Sequence, residues 1–447
     1  MRVAIIGTGY VGLVSGTCFA EFGHTVTCVD NDLTKIKSLQ NGVVPIFESG
    51  LEDLLNSNIS HGRLFFTDDI SKAIEDAEVV FLAVGTPSRR GDGHADLSYV
   101  YVAAEEIAKV AKDYKVIVTK STVPVGTGKK IAEIINTANP GLDFDIVSNP
   151  EFLREGSAIN DFMRPDRVIV GTESERAKEI MRELYRPLYL NETPILFTSI
   201  ESAEITKYAA NAFLATKIAF INEFANLCEV CDADIQDVAR GIGLDGRISK
   251  KFLNAGPGYG GSCFPKDTRA IIKTAQDLGQ NLTIVETVAK SNEIRKSAMA
   301  NRIIEACGGS VKNKTIAILG VTFKPNTDDV RESPSIDIIK TLQEAGAKIQ
   351  AYDPEGMKEA DKLLDNIQWF DDAYMAITDC NAMVIITEWN EFRALDLEHV
   401  KKALKEPVVI DLRNVYNPEQ MKKYGFNYFS IGRENILNNI KVLKAAI

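Results

Sequence analysis

Val3-Ala4-Ile5-Ile6-Gly7-Thr8-Gly9-Tyr10-Val11-Gly12 is the stretch whose reading decides the fold. An apolar run of strand length feeds a G-x-G-x-x-G turn, which opens a helical pattern read as amphipathic through Val11, Val14, Phe19 and Phe22. A second apolar run, Val26–Val29, follows and ends at Asp30. The glycine pattern alone is weak, but strand, turn, helix, strand and carboxylate in this order complete the context of a dinucleotide site. Gly7, Gly9 and Gly12 permit a tight turn and the approach of a pyrophosphate to the helix N-terminus, where unpaired N–H groups and the helix dipole favour anions. Asp30 stands where a carboxylate accepts hydrogen bonds from the adenosine ribose. Its charge repels a 2′-phosphate, so the expected cofactor is NAD rather than NADP.

Outward from this unit the alternation continues. Apolar runs at Val79–Val84, Val116–Thr119, Asp145–Ser148, Val168–Val170 and Ile195–Phe197 predict a mainly parallel sheet covered on both faces over residues 1–200. A ligand of such a sheet lies beyond the carboxyl ends of the strands. The residues there are Gly85-Thr86-Pro87, Lys120-Ser121-Thr122-Val123-Pro124 and Asn149-Pro150-Glu151-Phe152-Leu153-Arg154-Glu155-Gly156. Each alone reads as a turn or cap. Three in succession, rich in small hydroxyls and carboxylates, point to the cofactor crevice.

Over 201–300 the pattern turns helical. Glu201 to Cys231 lacks Gly and Pro and is apolar over most of its circumference, which predicts one unusually long helix. Glu204, Lys207 and Asn211 share one stripe of it. Their mostly apolar surroundings, Ile205 to Leu214, imply that the stripe faces something other than bulk water, where a lysine has a lowered pKa and serves as acid or base.

Gly256-Pro257-Gly258-Tyr259-Gly260-Gly261-Ser262-Cys263-Phe264-Pro265-Lys266-Asp267 carries the strongest signal. Its glycines are expected to let the backbone approach a ligand, ahead of a helix predicted over Pro265–Leu278. Cys263 falls at that helix start with Lys266 nearby, two features that stabilise a thiolate, and Asp267 is expected to face the same space. Oxidising an alcohol to a carbonyl needs a base and a hydride acceptor but no nucleophile. A nucleophile becomes useful when an aldehyde is oxidised further, through a thiohemiacetal and then a thioester that water hydrolyses. Cys228-Glu229-Val230-Cys231 has no second Cys or His pair beside it and reads as two small helix-face residues.

From 312 to 447 strand patterns return at Ile316–Leu319, Ile349–Tyr352, Met383–Thr387 and Val408–Leu412. The 447 residues suggest two or three domains of globular composition, 45% hydrophobic and 25% charged. A net charge of -11 with no basic block argues against nucleic acid or an anionic membrane as partner. The apolar runs are too short to span a bilayer, and Met1-Arg2-Val3 leads straight into a strand without room for a signal peptide. Seven scattered cysteines suit a reducing cytoplasm, and four distant histidines propose no metal site.

Together these motifs resemble the UDP-glucose 6-dehydrogenases, within the wider nucleotide-sugar 6-dehydrogenase family, over essentially the whole chain. Gly260-Gly261-Ser262-Cys263-Phe264-Pro265-Lys266-Asp267 is the most specific element, and Asn149-Pro150-Glu151-Phe152-Leu153 and Lys207 with Asn211 agree with it. The resemblance implies that UDP-glucose, two NAD⁺ and water become UDP-glucuronate and two NADH. It implies Cys263 as nucleophile, Lys207 and Asp267 handling protons and the oxyanion, Thr122 and Glu151 positioning water, and Asn211 stabilising the tetrahedral species. Asp30, Lys35, Thr86, Ser121, Glu155 and Arg331 would contact NAD. Phe152, Leu153, Lys207, Asn211, Phe252, Tyr259, Gly260 and Lys324 would contact the substrate, with Arg247 supplied across a homodimer interface built on the long helix.

The resemblance also accounts for the C-terminal region, a Rossmann-like α/β domain expected to close over the UDP moiety. It has Gly320-Val321-Thr322-Phe323-Lys324-Pro325 in place of a glycine fingerprint and is not expected to hold a second NAD. The chain departs from the family at Ser249, where relatives commonly carry Gly. Ser262 leans away from the N-acetylhexosamine enzymes, which tend to have His there. GDP-mannose and N-acetylated UDP-sugars remain competing substrates. A two-electron 3-hydroxyacid-type dehydrogenase has no need of Cys263, and a non-catalytic NAD sensor would have no reason to keep the Cys, Lys, Asn and Glu set.

Overall fold

The computed structural model describes residues 1–89, 91 and 93–438. Two compact units emerge, one of Met1–Ala210 with Arg269–Asn281, the other of Asn211–Thr268 with the chain from Leu282 onward. Among the described residues, no helix is long and apolar enough to cross a membrane.

The first unit is built on a sheet of eight strands among the described residues: β1 (Arg2–Ile6), β2 (Thr25–Val29), β3 (Leu64–Thr67), β4 (Val79–Leu82), β5 (Lys115–Thr119), β6 (Phe144–Ser148), β7 (Val168–Gly171) and β8 (Ile195–Thr198). Their order is β3-β2-β1-β4-β5-β6-β7-β8, with every neighbour parallel except β6 and β7. The order reverses between β1 and β4, so the crevice of this α/β sheet opens at their carboxyl ends. The chain leaves β1 into Gly7, β4 into Ala83-Val84-Gly85-Thr86, β5 into Lys120-Ser121-Thr122, and β6 into Asn149-Pro150-Glu151. All four segments met in the sequence are thereby delivered to one edge of the sheet.

The helix after the fingerprint, Tyr10–Glu21, corrects the amphipathic reading: Gly12 through Ala20 are all buried, and Phe22 is its C-cap. It is enclosed because other helices of the unit pack over the face expected to meet water. Phe19 sits among the rings of Phe81, Phe162 and Tyr185, with centroids 5.2, 4.9 and 5.5 Å away.

Among the described residues the second unit carries a six-stranded, all-parallel sheet: β9 (Thr315–Leu319), β10 (Lys348–Tyr352), β11 (Ile367–Trp369), β12 (Ala382–Ile385), β13 (Val408–Asp411) and β14 (Asn427–Ser430), ordered β11-β10-β9-β12-β13-β14. The switch between β9 and β12 repeats that of the first sheet. The long helix runs Ile200–Val230 and the helix after Cys263 runs Phe264–Asp277, each within one residue of expectation.

Candidate functional site

The fingerprint turn has the geometry that a dinucleotide requires. Gly7 holds φ +101, and a Cβ on Gly12 would lie 1.9 Å from the Gly7 carbonyl oxygen, so neither accepts another residue. Nothing stands within 4 Å of a Cβ at Gly9, the N-cap, and no side chain caps the helix, whose first N–H groups remain for a ligand. Asp30 Oδ2 accepts from the Thr8 N–H at 2.9 Å and hydroxyl at 2.6 Å, and from Lys35 Nζ at 3.1 Å. Burial works to raise the Asp30 pKa, but these donors and the Asp32 N–H prevail and hold it below the usual carboxylate range. An ionised Asp30 at the end of β2 fits the ribose of NAD. The lysine thus orients the carboxylate.

Thr86 and Ser121 are buried at the ends of β4 and β5, donating to the carbonyls of Thr122 at 3.0 Å and Val84 at 2.6 Å. Glu155 lies in a loop tied back to the fingerprint. Glu48, absent from the sequence reading, accepts from the Gly156 N–H at 2.6 Å, the Ala158 N–H at 2.9 Å and the Tyr10 hydroxyl. The signal for Glu48 was slight, one acidic residue between Phe47 and Ser49.

The polar stripe of the long helix is buried as expected, yet its three members serve three different partners. Glu204 accepts from the Gly126 and Gly128 N–H groups at 2.7 and 2.8 Å, at the start of the Thr127–Ala138 helix. Lys207 pairs with Glu151 Oε1 at 2.9 Å, both side chains nearly dry. Glu151 Oε2 accepts from the Leu153 N–H at 2.5 Å, which fixes the turn bearing Phe152. The Phe152 ring lies 5.4 Å from Lys207 Nζ and stacks under the Arg167 guanidinium at 3.6 Å. Leu153 packs on the unit's core. Thr122, half-buried, stands in the segment held by Thr86.

Burial raises Glu204 from 4.5 to about 7, despite the two N–H donors that favour its charge. A folded-state pKa above the unfolded one contributes stability that is fully present below about 4.5 and is lost as pH rises to about 7. A difference of one pH unit between the folded and unfolded pKa is worth about 1.4 kcal/mol. Glu204→Gln is therefore expected to gain stability relative to the native chain as pH rises through this window, measured as the urea midpoint. Parallel pH dependences in the two proteins would contradict it.

In the second unit Cys263 caps the Phe264–Asp277 helix, its carbonyl accepting from the Asp267 N–H at 2.8 Å. The thiol is half-buried, with the Ser262 hydroxyl 3.5 Å away. Asp267 is buried and receives Asn211 Nδ2 and Lys266 Nζ, each at 2.7 Å. The Asp267 carboxylate thus engages Lys266, while Cys263 stands at the helix start, whose dipole favours a thiolate.

Two glycines of this loop also pack tightly against protein. A Cβ on Gly260 would sit 2.4 Å from the Glu332 carbonyl oxygen, and one on Gly261 2.8 Å from the Phe323 ring. The absence of a side chain at both positions permits this close contact with neighbouring protein segments. Tyr259 is buried and locked by Asn292, which accepts from its N–H at 2.8 Å. Phe252 lies 6.1 Å from Phe264 with φ 65. Ser249 has φ 64, a left-handed conformation that glycine adopts more easily, which is the physical meaning of the departure noted there. Arg247 is 89% exposed and paired with Asp245.

Lys324 Nζ lies 5.4 Å over the Phe323 ring, and Arg331 forms a two-pronged pair with Asp329 at 2.8 Å. Arg413, missing from the sequence reading, is anchored to the carbonyls of Phe323 at 3.0 Å and Ile386 at 2.7 Å. The second sheet also repeats the aspartate of the first. Asp353 follows β10 as Asp30 follows β2, and Thr322 donates to it as Thr8 does to Asp30. Asp353, however, is fully buried and also accepts from Trp389 Nε1 and the N–H groups of Val321, Glu355 and Gly356. No lone pair is left to meet a ribose.

Comparison with known proteins agrees with this geometry. Three models of the UDP-glucose/GDP-mannose dehydrogenase family match: its NAD binding domain over residues 1–189, central domain over 201–294 and UDP binding domain over 317–418. The chain is 58% identical to a UDP-glucose 6-dehydrogenase of Rhizobium meliloti (strain 1021), covering 97% of this chain and 100% of the relative. It is 50% identical to one of Bacillus subtilis (strain 168), covering 97% and 93%. Among solved structures, a UDP-glucose dehydrogenase of the hyperthermophilic archaeon Pyrobaculum islandicum superposes with a TM-score of 0.88 at 36% identity, covering 96% of both chains.

Proposed function

From the premise that this chain belongs to the UDP-glucose/GDP-mannose dehydrogenase family, we propose that it oxidises UDP-glucose to UDP-glucuronate with NAD by four electrons. The observation that carries the four-electron reading is Cys263 at a helix start beside the buried Asn211–Asp267 pair. When NAD is bound, its nicotinamide accepts the hydride in each oxidation. This chain's residues handle everything else. Lys207, held by Glu151, removes the hydroxyl proton as the alcohol becomes an aldehyde. The Cys263 thiolate adds to the aldehyde carbon, and Asn211 and Lys207 stabilise the oxyanion of the thiohemiacetal. Loss of the second hydride leaves a thioester. Water positioned by Thr122 and Glu151 attacks it, releasing the carboxylate; one of the water's two protons returns to the Cys263 sulfur and the other passes to Asp267, Lys207 having already given the hydroxyl proton up to solvent.

The remaining assignments follow the same reading. Gly7, Gly9, Gly12, Asp30, Lys35, Thr86, Ser121, Glu155 and Arg331 serve NAD. Phe152, Leu153, Phe252, Tyr259, Gly260 and Lys324 serve UDP-glucose, with Arg247 reaching it from a second copy. We assign the dimer to the long helix, because Phe213, Phe220, Phe224 and Leu227 stand 65, 46, 38 and 55% exposed along one stripe. A monodisperse, fully active monomer would contradict that assignment. Three regions, 1–200, 201–300 and 312–447, are assigned to NAD, to dimerisation with catalysis, and to the UDP-sugar. The cytoplasm is the expected location. Turnover on UDP-glucose, GDP-mannose and N-acetylated UDP-hexosamines under equal conditions tests the substrate. UDP-glucose is expected to give the highest kcat/KM, and a preference for either rival would overturn the assignment.

A further inference from the structure

Lys120 directly follows β5, a strand buried along its whole length, and is itself 5% exposed. Its Nζ donates to Asn149 Oδ1 at 3.0 Å and to the Tyr185 hydroxyl at 3.2 Å, with the Phe162 and Tyr185 rings 5.8 and 5.9 Å away. The Asn149 amide does not depend on it. Tyr185 already donates to Oδ1 at 2.6 Å, and Nδ2 donates to the Ile169 carbonyl at 2.7 Å. An apolar chain of equal length would fill this space more cheaply, because a buried cation surrenders its hydration. Burial indeed brings the Lys120 ammonium down to about 8.

What an apolar chain would not supply is charge. Glu151 favours the charged form of Lys120 and Lys207 opposes it, so the three groups feel one another electrostatically. Glu151 and Lys207 are themselves paired at 2.9 Å. Once Lys207 is neutral, Glu151 is a buried carboxylate that has lost its paired counter-charge. A neutral Glu151 would hold the attacking water less strongly, because an ionised carboxylate is the stronger hydrogen-bond acceptor.

Resting on the reaction given above, we propose that Lys120 is a positioning residue, a buried cation behind Asn149-Pro150-Glu151 that keeps Glu151 ionised and in place while Lys207 is without its proton. The titratable groups around Lys120 are Glu151, Lys207 and Tyr185, whose hydroxyl burial raises far above the working range. Asn149 and Phe162, which also meet its ammonium, do not titrate.

The test uses the full chain with Lys120→Met and Lys120→Arg, following decay of the acid-trapped Cys263 adduct against pH after one turnover of UDP-glucose. In Lys120→Met the acid limb of that profile is expected to move up by about one pH unit. Decay below neutral pH then falls on the order of tenfold, while the first NADH is still formed. Lys120→Arg keeps the limb of the native chain. An unmoved limb in Lys120→Met, or equal slowing in both variants with no change of the limb, would overturn the proposal in favour of a packing role. Should Lys120→Met fail to fold by thermal unfolding, Lys120→Gln is read the same way. Absence of any adduct in the native chain counts against the reaction itself, and so is distinguished from failure of the proposal.

Discussion

Cys263→Ser is expected to lower steady-state NADH formation from UDP-glucose by roughly 1,000-fold or more. The reason is chemical rather than structural. The helix start that favours a thiolate at Cys263 does far too little for a serine hydroxyl, whose acidity is many orders of magnitude weaker. The substitution nearly preserves shape at a half-buried position whose carbonyl goes on accepting from the Asp267 N–H, so the melting temperature should stay within a few degrees. NAD affinity should not change, because the residues assigned to the cofactor are untouched. A variant with near-native turnover would remove Cys263 from the chemistry.

Lys207→Met carries the second large effect, and here stability and activity separate. Glu151 would be left buried without its cation, which costs about 3–5 kcal/mol, and loss of the base should lower kcat by about 100-fold or more. Adding Glu151→Gln removes the stranded charge. The double variant should recover most of the lost stability, measured by urea unfolding, while remaining as inactive as the single one. Recovery of activity together with stability would mean that Lys207 acts only as a structural partner of Glu151.

Much of this fold was legible in the sequence because buried parallel strands are written as continuous apolar runs. Val79–Leu82 and Val116–Thr119 are cases where pattern and structure coincide. The strands that escaped were edges or short. In β3 Phe65 faces solvent, β11 spans three residues, and β14 reads Asn427-Tyr428-Phe429-Ser430, with half its positions polar. Periodicity over so few residues does not separate strand from loop.

The candidate site shows a different limit. Residue type and spacing brought out Cys263, Lys207 and Asn211, since chemistry demands those side chains. Spacing placed Glu204 on their stripe, but only the fold reveals that its carboxylate caps a helix instead. Lys120 was in plain view beside Ser121 and Thr122 without a role, because burial of a charge is a property of packing that a single sequence does not display. The glycines before Cys263 were conspicuous, yet which protein surface Gly261 and Gly260 approach depends on Phe323 and Glu332, 62 and 72 residues further along the chain.

The central claim is that one active centre removes two hydrides from the same carbon through a thioester on Cys263. The most direct measurement is NADH formed per UDP-glucose consumed by the native chain, run to completion with NAD in excess. The account predicts two NADH per sugar, free UDP-glucuronate as product and no accumulated aldehyde. One NADH per sugar, with the aldehyde released, would contradict it and leave a simple alcohol dehydrogenase in which Cys263 has no covalent part.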